Sequence, residues 1–311
     1  MAISYEQVSF AYDDRSLWRH SALEGIDLRL ATGTFAAVAG GTGSGKSTLL
    51  QHLNGILKPT GGKVRVLDFT MEAGAKGPPL RELRRRVGLV FQFPEQQLFE
   101  DTVEKDLCFG PLNFGMSPAE AKERASKALA MVGLDDSFLP RNPFHLSGGQ
   151  MRKVAIASAL AMDPEVIALD EPTATLDPES RAELAGLLSR MQREQGKTVV
   201  VITHRMEEML PYVDTWVVMK EGAKAFQGTA ADLVREAGRL ERECGLAIPA
   251  CISVWNRVAA RFGLEGEEPC LTPDSLAARV ARLLAGNRQE EGMKREGAES
   301  DAEQAAVRAL H

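Results

Sequence analysis

The sequence predicts an α/β fold built on a buried, mostly parallel sheet. Three observations carry that reading. Short continuous apolar runs recur at 34–39, 87–91, 166–169, 198–203 and 215–219, and strands apolar on both faces belong in a parallel sheet covered by helices. Helical patterns or Gly-rich turns separate these runs, the alternation of an α/β core. With 311 residues, 44% of them hydrophobic, the chain has enough apolar surface for one large domain or two smaller ones.

The elements follow in order. Segment 22–30 sets Ile26, Leu28 and Leu30 at period two, a half-exposed strand. Run 34–39 ends at Gly40, and a helical segment follows over 47–57. Run 87–91 opens a helix-rich stretch, about 93–162. There Ser117-Pro118-Ala119-Glu120 reads as a capping box with a proline at the first helical position, and Gly133 stops that helix. Run 166–169 leads into Asp170-Glu171, and run 198–203 leads into His204. Past Gly228 the pattern becomes helical. Trp255, Val258, Ala259 and Phe262 share one face, and Thr272-Pro273 opens a helix with Leu276, Val280, Leu283 and Leu284 on its stripe. The expected organisation is a main domain over 1–228, with a helical subdomain at about 93–162, and a helical domain over 229–285. A charged tail over 286–311 is expected to be disordered or to fray into a loose helix. No internal repeat is evident.

Composition narrows the classes. A formal net charge of -6 argues against a dedicated nucleic-acid binder. The run Arg81 to Arg86, with Arg84, Arg85 and Arg86 adjacent, reads as a solvated basic face. Cys108, Cys244, Cys251 and Cys270 form no C-x-x-C pair, so neither a zinc site nor a redox motif is indicated, and reduced cytosolic thiols are expected. The first residues lack the basic and apolar regions of a signal peptide. No apolar run approaches the ~20 residues that span a bilayer. The expectation is a cytosolic chain that reaches a membrane through a partner.

Gly40-Gly41-Thr42-Gly43-Ser44-Gly45-Lys46-Ser47 fits G-x-x-x-x-G-K-[ST], with a strand before it and a helix after. Glycines let the loop's N–H groups converge on phosphate oxygens. The helix N-terminus adds positive potential. Lys46 is expected to reach the β- and γ-phosphates of a bound nucleotide and Ser47 to ligate Mg²⁺, with Thr48 included in the nucleotide set; the motif alone does not choose among GTPases, kinases, motor ATPases and transport ATPases. Asp170 closes a buried strand near that loop and can hold Mg²⁺ through water. Glu171, one residue on, can polarise the water that attacks the γ-phosphate. His204 ends another strand of the same sheet, where a γ-phosphate contact outweighs a purely structural role.

Leu146-Ser147-Gly148-Gly149-Gln150 offers a second anion-binding tip: Ser147 can cap a helix running to about Leu160, and two glycines permit close approach. One ATP does not need two such tips on one chain. The pentapeptide resembles the signature of ATP-binding-cassette proteins, whose fold is a P-loop NTPase core with a β-rich N-terminal subdomain and a helical subdomain. The resemblance covers residues 2–228 and implies a head-to-tail dimer. Each ATP then lies between one chain's Lys46 loop and the Ser147, Gly148, Gly149 and Gln150 tip of the other. It also implies that Tyr12 stacks on adenine, that Gln92 sits near Mg²⁺ and the attacking water, and that His204 is the switch histidine. Thr175-Leu176-Asp177 is implied to contact the other subunit. Ala174-Thr175 departs slightly from the family, where smaller or Gly-containing pairs are more common.

A narrower likeness follows. The stretch from Val90 to Glu100, then Thr102-Val103 and Phe109-Gly110-Pro111, resembles the ATPases of energy-coupling-factor transporters. The residues from Leu146 to Ala157 look like the second of their two paralogous ATPases, and a C-terminal helical domain fits as well. The likeness implies pairing with a paralogous ATPase or a second copy, an integral membrane energy-coupling subunit, and a separate substrate-binding membrane subunit. It places the chain peripherally on the cytoplasmic face. A short helix over 95–100 is then expected to face the membrane partner, with Glu95 and Glu100 suited to its basic residues. Two alternatives are a soluble cassette ATPase acting on DNA or ribosomes, which usually has two cassettes or a long coiled coil, and a nucleotide-binding regulator without turnover. Intact Gln92, Asp170, Glu171 and His204 count against the second.

Overall fold

The computed structural model describes residues 1–12, 20–264 and 266–285; the expected tail over 286–311 lies outside them. Ten strands are assigned among the described residues: β1 Ile3–Tyr12, β2 His20–Leu30, β3 Phe35–Gly40, β4 Gly61–Val66, β5 Phe69–Glu72, β6 Val87–Val90, β7 Val166–Asp170, β8 Thr198–Ile202, β9 Thr215–Lys220 and β10 Ala223–Gly228. The helices before the signature are α1 Lys46–His52, α2 Leu80–Arg86, α3 Val103–Asn113 and α4 Pro118–Met131. They continue with α5 Gly148–Leu160, α6 Pro178–Gln195, α7 Met206–Met209, α8 Ala230–Cys244, α9 Ala250–Phe262 and a final α10 over 273–285.

Two sheets form the first unit. The smaller is antiparallel with order β2-β1-β4-β5. The larger has order β10-β9-β3-β8-β7-β6, parallel throughout except for the β9–β10 hairpin at its edge. Its central strands are buried from end to end, which is why their sequences show no alternation. Leu49 and Leu50 of α1 join one apolar cluster with Ile3, Tyr5 and Leu28 of the small sheet and Ala168, Val200 and Ile202 of the large one. The buried Tyr5 hydroxyl donates to the Leu49 carbonyl at 2.7 Å, fixing α1 against β1.

The capping box at Ser117 and Glu120 is present in full. The cluster at 81–86 is the expected solvated face, with Arg81, Arg84 and Arg85 exposed, and it is also tied to the chain. Arg86 binds Asp68 and Glu165, Arg84 donates to the Asn54 carbonyl, and Arg81 donates to the Asn113 carbonyl while lying over the Phe114 ring. Among the described residues all four cysteines are free thiols.

The domain boundary differs from the expectation. The compact units divide at 247/248, not after Gly228. Helix α8 packs on β9 and β10 of the first unit. Its Thr229–Asp232 capping box starts it directly from the end of β10, and its apolar face of Leu233, Val234, Ala237 and Leu240 is buried. The second unit carries α9 and α10, with Trp255 and Leu276 buried while Leu284 stays half-exposed.

Candidate functional site

Parallel register aligns the site. Val38 of β3 pairs with Ile202 of β8, which pairs with Asp170 of β7, so these strands end together at one edge. The C-terminal edge of such a sheet is where ligands bind. Loops from all three strands converge there, although the β3 loop lies more than a hundred positions from the other two in the sequence.

The glycine loop leaves β3 under tight constraint. At Gly40 the backbone takes φ 145°, and a Cβ would stand 2.2 Å from the Met219 carbonyl oxygen, so no other residue fits. Lys46 is buried, and its Nζ donates to the carbonyls of Gly40 at 3.0 Å and Gly41 at 2.7 Å. Burial pushes the Lys46 ammonium below its ordinary pKa, while Glu171 and Asp170 draw it back up. Around Gly41 and Gly43 a Cβ would meet nothing within 4 Å. A retracted ammonium beside an open glycine cradle fits a polyphosphate.

Asp170 is buried, which raises its carboxyl above the ordinary value; a hydrogen bond from the Ser47 hydroxyl, then Lys46 and His204, oppose that rise. A serine hydroxyl joined to a carboxylate is a donor set of hard oxygens suited to Mg²⁺. Glu171 follows in the left-handed region at φ 47°, a conformation that costs a non-glycine residue of order 1 kcal/mol and persists only where its surroundings enforce it. Its N–H donates to the Ile202 carbonyl at 3.0 Å. Its Oε1 lies 3.0 Å from His204 Nε2. The Lys46, Ser47, Asp170, Glu171 and His204 side chains therefore form one interacting group.

Tyr12 is half-exposed at the end of β1, with its hydroxyl 3.1 Å from the Thr48 Oγ1 and its ring edge-on to Phe10 at 4.9 Å. Buried Thr48 thus ties the phosphate-loop helix to the tyrosine. Gln92 stands apart. Its side chain is exposed and touches none of that group among the described residues, and its backbone carbonyl accepts from Arg152 at 3.0 Å. Asp177 caps α6 by accepting from the Ser180 N–H at 2.9 Å.

At the start of α5 the Ser147 hydroxyl accepts from the Gln150 N–H and Gln150 Oε1 accepts from the Ser147 N–H, a capping box. Sequence reading recognised Ser147 as the cap but not the return bond from Gln150. Ser147, Gly148 and Gly149 are exposed, and a Cβ on either glycine would meet nothing within 4 Å. Among the described residues no packing contact requires those glycines, and the tip they form is open to solvent.

The residue that sequence reasoning missed is Arg152, one of the largest fully buried side chains at 1% exposure. Its guanidinium donates to the carbonyls of Pro172 at 2.9 Å, Glu171 at 2.6 Å and Gln92 at 3.0 Å, and to Thr175 Oγ1 at 3.2 Å. A signal existed. Counting back along the buried stripe of α5 from Leu160 through Ile156 and Ala155 reaches Arg152. A second arginine, Arg181, donates to the Leu176 carbonyl at 2.7 Å and pairs with Glu208 at 3.0 Å.

Glu95 also departs from expectation. The segment forms a short 3₁₀ turn over Pro94–Gln97, and the Glu95 Oε2 lies 3.7 Å from Arg152 Nη1 inside the chain. The outward side of this region is aromatic instead. Phe93, Phe99, Phe109 and Leu112 are exposed, and the Phe99 and Phe109 rings meet edge-on at 4.8 Å. Buried Asp106 holds that turn by accepting from the Phe99 and Glu100 N–H groups at 3.2 and 3.3 Å.

Residues 23–174 match the ABC transporter family model. The chain is 46% identical over 285 residues to the energy-coupling factor transporter ATP-binding protein EcfA2 of Geobacillus kaustophilus, covering 92% of this chain and 98% of the relative. The EcfA2 of Listeria monocytogenes is also 46% identical over 285 residues, covering 92% and 99%. Among solved structures, the dimeric post-hydrolysis state of the ATP-binding cassette MJ0796 bound to ADP and Pi superposes with TM-score 0.67 at 30% identity, covering 73% of this chain and 98% of that one. CbiO1 from Clostridium perfringens, part of the ABC transporter complex CbiONQ, superposes with TM-score 0.66 at 35% identity, covering 78% and 96%.

Proposed function

The chain belongs to the ABC transporter family, among the energy-coupling factor transporter ATP-binding proteins, and from that premise we propose that it is an ATP-hydrolysing subunit of an energy-coupling factor importer, driving micronutrient uptake through a membrane-embedded partner. The observation that carries this reading is the pairing of Glu171 with His204 at 3.0 Å beside the Lys46 loop.

Tyr12 supplies an exposed ring for adenine. Lys46 exchanges its two loop carbonyls for the β- and γ-phosphate oxygens, and the loop N–H groups take the remaining charge. Ser47 and Asp170 are the residues to hold Mg²⁺, which when bound neutralises phosphate charge. Glu171 accepts a hydrogen bond from the attacking water and orients it, while His204 fixes the carboxylate and contacts the γ-phosphate. Ser147, Gly148, Gly149 and Gln150 act on the ATP of a second subunit, a paralogue or another copy, and Asp177 lies in the loop implied to meet that subunit. Closure then depends on ATP because the tip needs the γ-phosphate, and hydrolysis releases it.

The exposed Phe93, Phe99, Phe109 and Leu112 surface is the docking face for the integral membrane subunit, since exposed apolar patches mark partner contacts. Among the described residues no helix is long and apolar enough to cross a membrane. On this reading attachment is peripheral, through that subunit, on the cytoplasmic face, with a separate membrane protein selecting the cargo.

The test is purification of the tagged full chain from detergent-solubilised membranes, followed by an ATPase assay on the complex. Co-purification of an integral membrane protein with Mg-ATP turnover supports the reading. A chain recovered alone and without turnover in every preparation refutes it.

A further inference from the structure

We propose that Arg152 is a positioning residue that links the membrane-facing segment to Glu171, so that displacement of Glu95 is felt at the catalytic carboxylate. The inference rests on the ATPase reading above.

The geometry is specific. One guanidinium bonds three backbone carbonyls from two separate loops, Gln92 on one side and Glu171 and Pro172 on the other, together with the Thr175 hydroxyl. Beside these bonds it forms an ion pair with Glu95, one turn beyond Gln92. Glu95 Oε2 is buried and accepts no hydrogen bond among the described residues, and the Arg152 guanidinium at 3.7 Å is its charged partner. Burial pushes the Arg152 guanidinium down from its ordinary pKa, and Glu95 followed by Glu171 draws it back up.

The Glu171 backbone is where this contact matters. Its φ of 47° is a conformation that must be enforced. The Ile202 carbonyl secures its N–H at 3.0 Å, and Arg152 secures its C=O at 2.6 Å. Release of either end turns the peptide and carries the carboxylate away from His204. A planar fork with five donors meets several acceptors in fixed directions; a lysine ammonium cannot span both loops. The segment bearing Glu95 lies between exposed Phe93 and Phe99, so a partner pressing on those rings moves the carboxylate that anchors Arg152.

The experiment measures kcat and KM for ATP in the assembled transporter, with nucleotide affinity of the full chain measured in parallel by a fluorescent ATP analogue. For Arg152→Gln, kcat falls by about 10- to 100-fold, the effect of displacing a catalytic group by about an ångström, while affinity and KM stay within about three-fold. Arg152→Lys recovers only part of the loss. Glu95→Gln keeps the guanidinium and its carbonyl bonds, and it lowers kcat by about three- to ten-fold at unchanged affinity. Adding Glu95→Gln to Arg152→Gln causes no further loss. Parallel collapse of affinity and kcat in Arg152→Gln, or wild-type kcat in Glu95→Gln, overturns the linkage. If Arg152→Gln does not fold, Glu95→Gln alone decides. Absence of turnover in the wild-type complex refutes the ATPase reading; wild-type turnover with unaffected variants refutes only the role of Arg152.

Discussion

Glu171 and His204 stand 3.0 Å apart, carboxylate to imidazole, although one follows β7 and the other follows β8. The parallel pairing of Asp170 with Ile202 brings them there. Neither is deeply buried, so each can exchange its partner for water or phosphate.

Glu171→Gln removes the carboxylate while preserving size and backbone. Turnover falls by about 10²- to 10⁴-fold, the contribution of a positioned acid–base group. ATP binding is retained, and the ATP-loaded protein runs as a dimer on size exclusion. Near-normal turnover by the purified variant contradicts the role given to Glu171.

Lys46→Ala deletes the donor that the loop carbonyls now hold. A charge-assisted hydrogen bond is worth about 1.5–3 kcal/mol, so ATP affinity drops by at least ten-fold. Titration calorimetry with ATP reads the change directly, and an unaltered dissociation constant rules out the loop assignment.

Gly149→Ala separates folding from function. The added Cβ meets nothing within 4 Å inside the chain, and alanine favours a helix by up to ~1 kcal/mol over glycine. The melting temperature holds or rises, whereas ATP-dependent dimerisation and turnover are lost. A drop in stability with normal turnover would falsify the proposal that this tip serves a second subunit.

His52 sets an acid limit on stability. It is fully buried, packed against Phe10 and Tyr5, with Nδ1 at 2.7 Å from the Thr48 carbonyl and Nε2 without a hydrogen-bond partner among the described residues. Burial lowers its pKa to about 4. The unfolded chain, with an ordinary histidine near ~6.5, binds the proton first. The stabilisation is therefore complete above about 6.5 and is lost as pH falls toward 4, a total of roughly 3 kcal/mol. His52→Asn keeps a donor near the Thr48 carbonyl without a titrating ring. Urea midpoints at pH 7 and pH 4.5 differ less in that variant than in the wild type; an equal difference in both assigns the acid sensitivity elsewhere.

The glycine loop, the Asp170-Glu171 pair, the signature and His204 were legible in the sequence because each is local. A few adjacent residues hold a backbone shape or end a strand, and residue type alone limits what chemistry they can do. Strand positions were equally legible, since a strand buried on both faces leaves an unbroken apolar run. The expected boundary after Gly228 differs from the division at 247/248 for the converse reason. Helix α8 has the periodicity of any amphipathic helix, and only tertiary packing assigns its apolar stripe to β9 and β10.

Sequence by itself determined which groups are available: a lysine in a glycine loop, carboxylates ending a strand, a serine and two glycines opening a helix. Tertiary structure decided which of them meet. It alone turned Glu95 inward and left the phenylalanines around it exposed, and it alone brought Arg152 against carbonyls from two distant loops. Backbone carbonyls carry no residue identity, so a side chain that works by binding them leaves no partner pattern in the sequence. Its role emerges only when burial demands that each of its donors be satisfied.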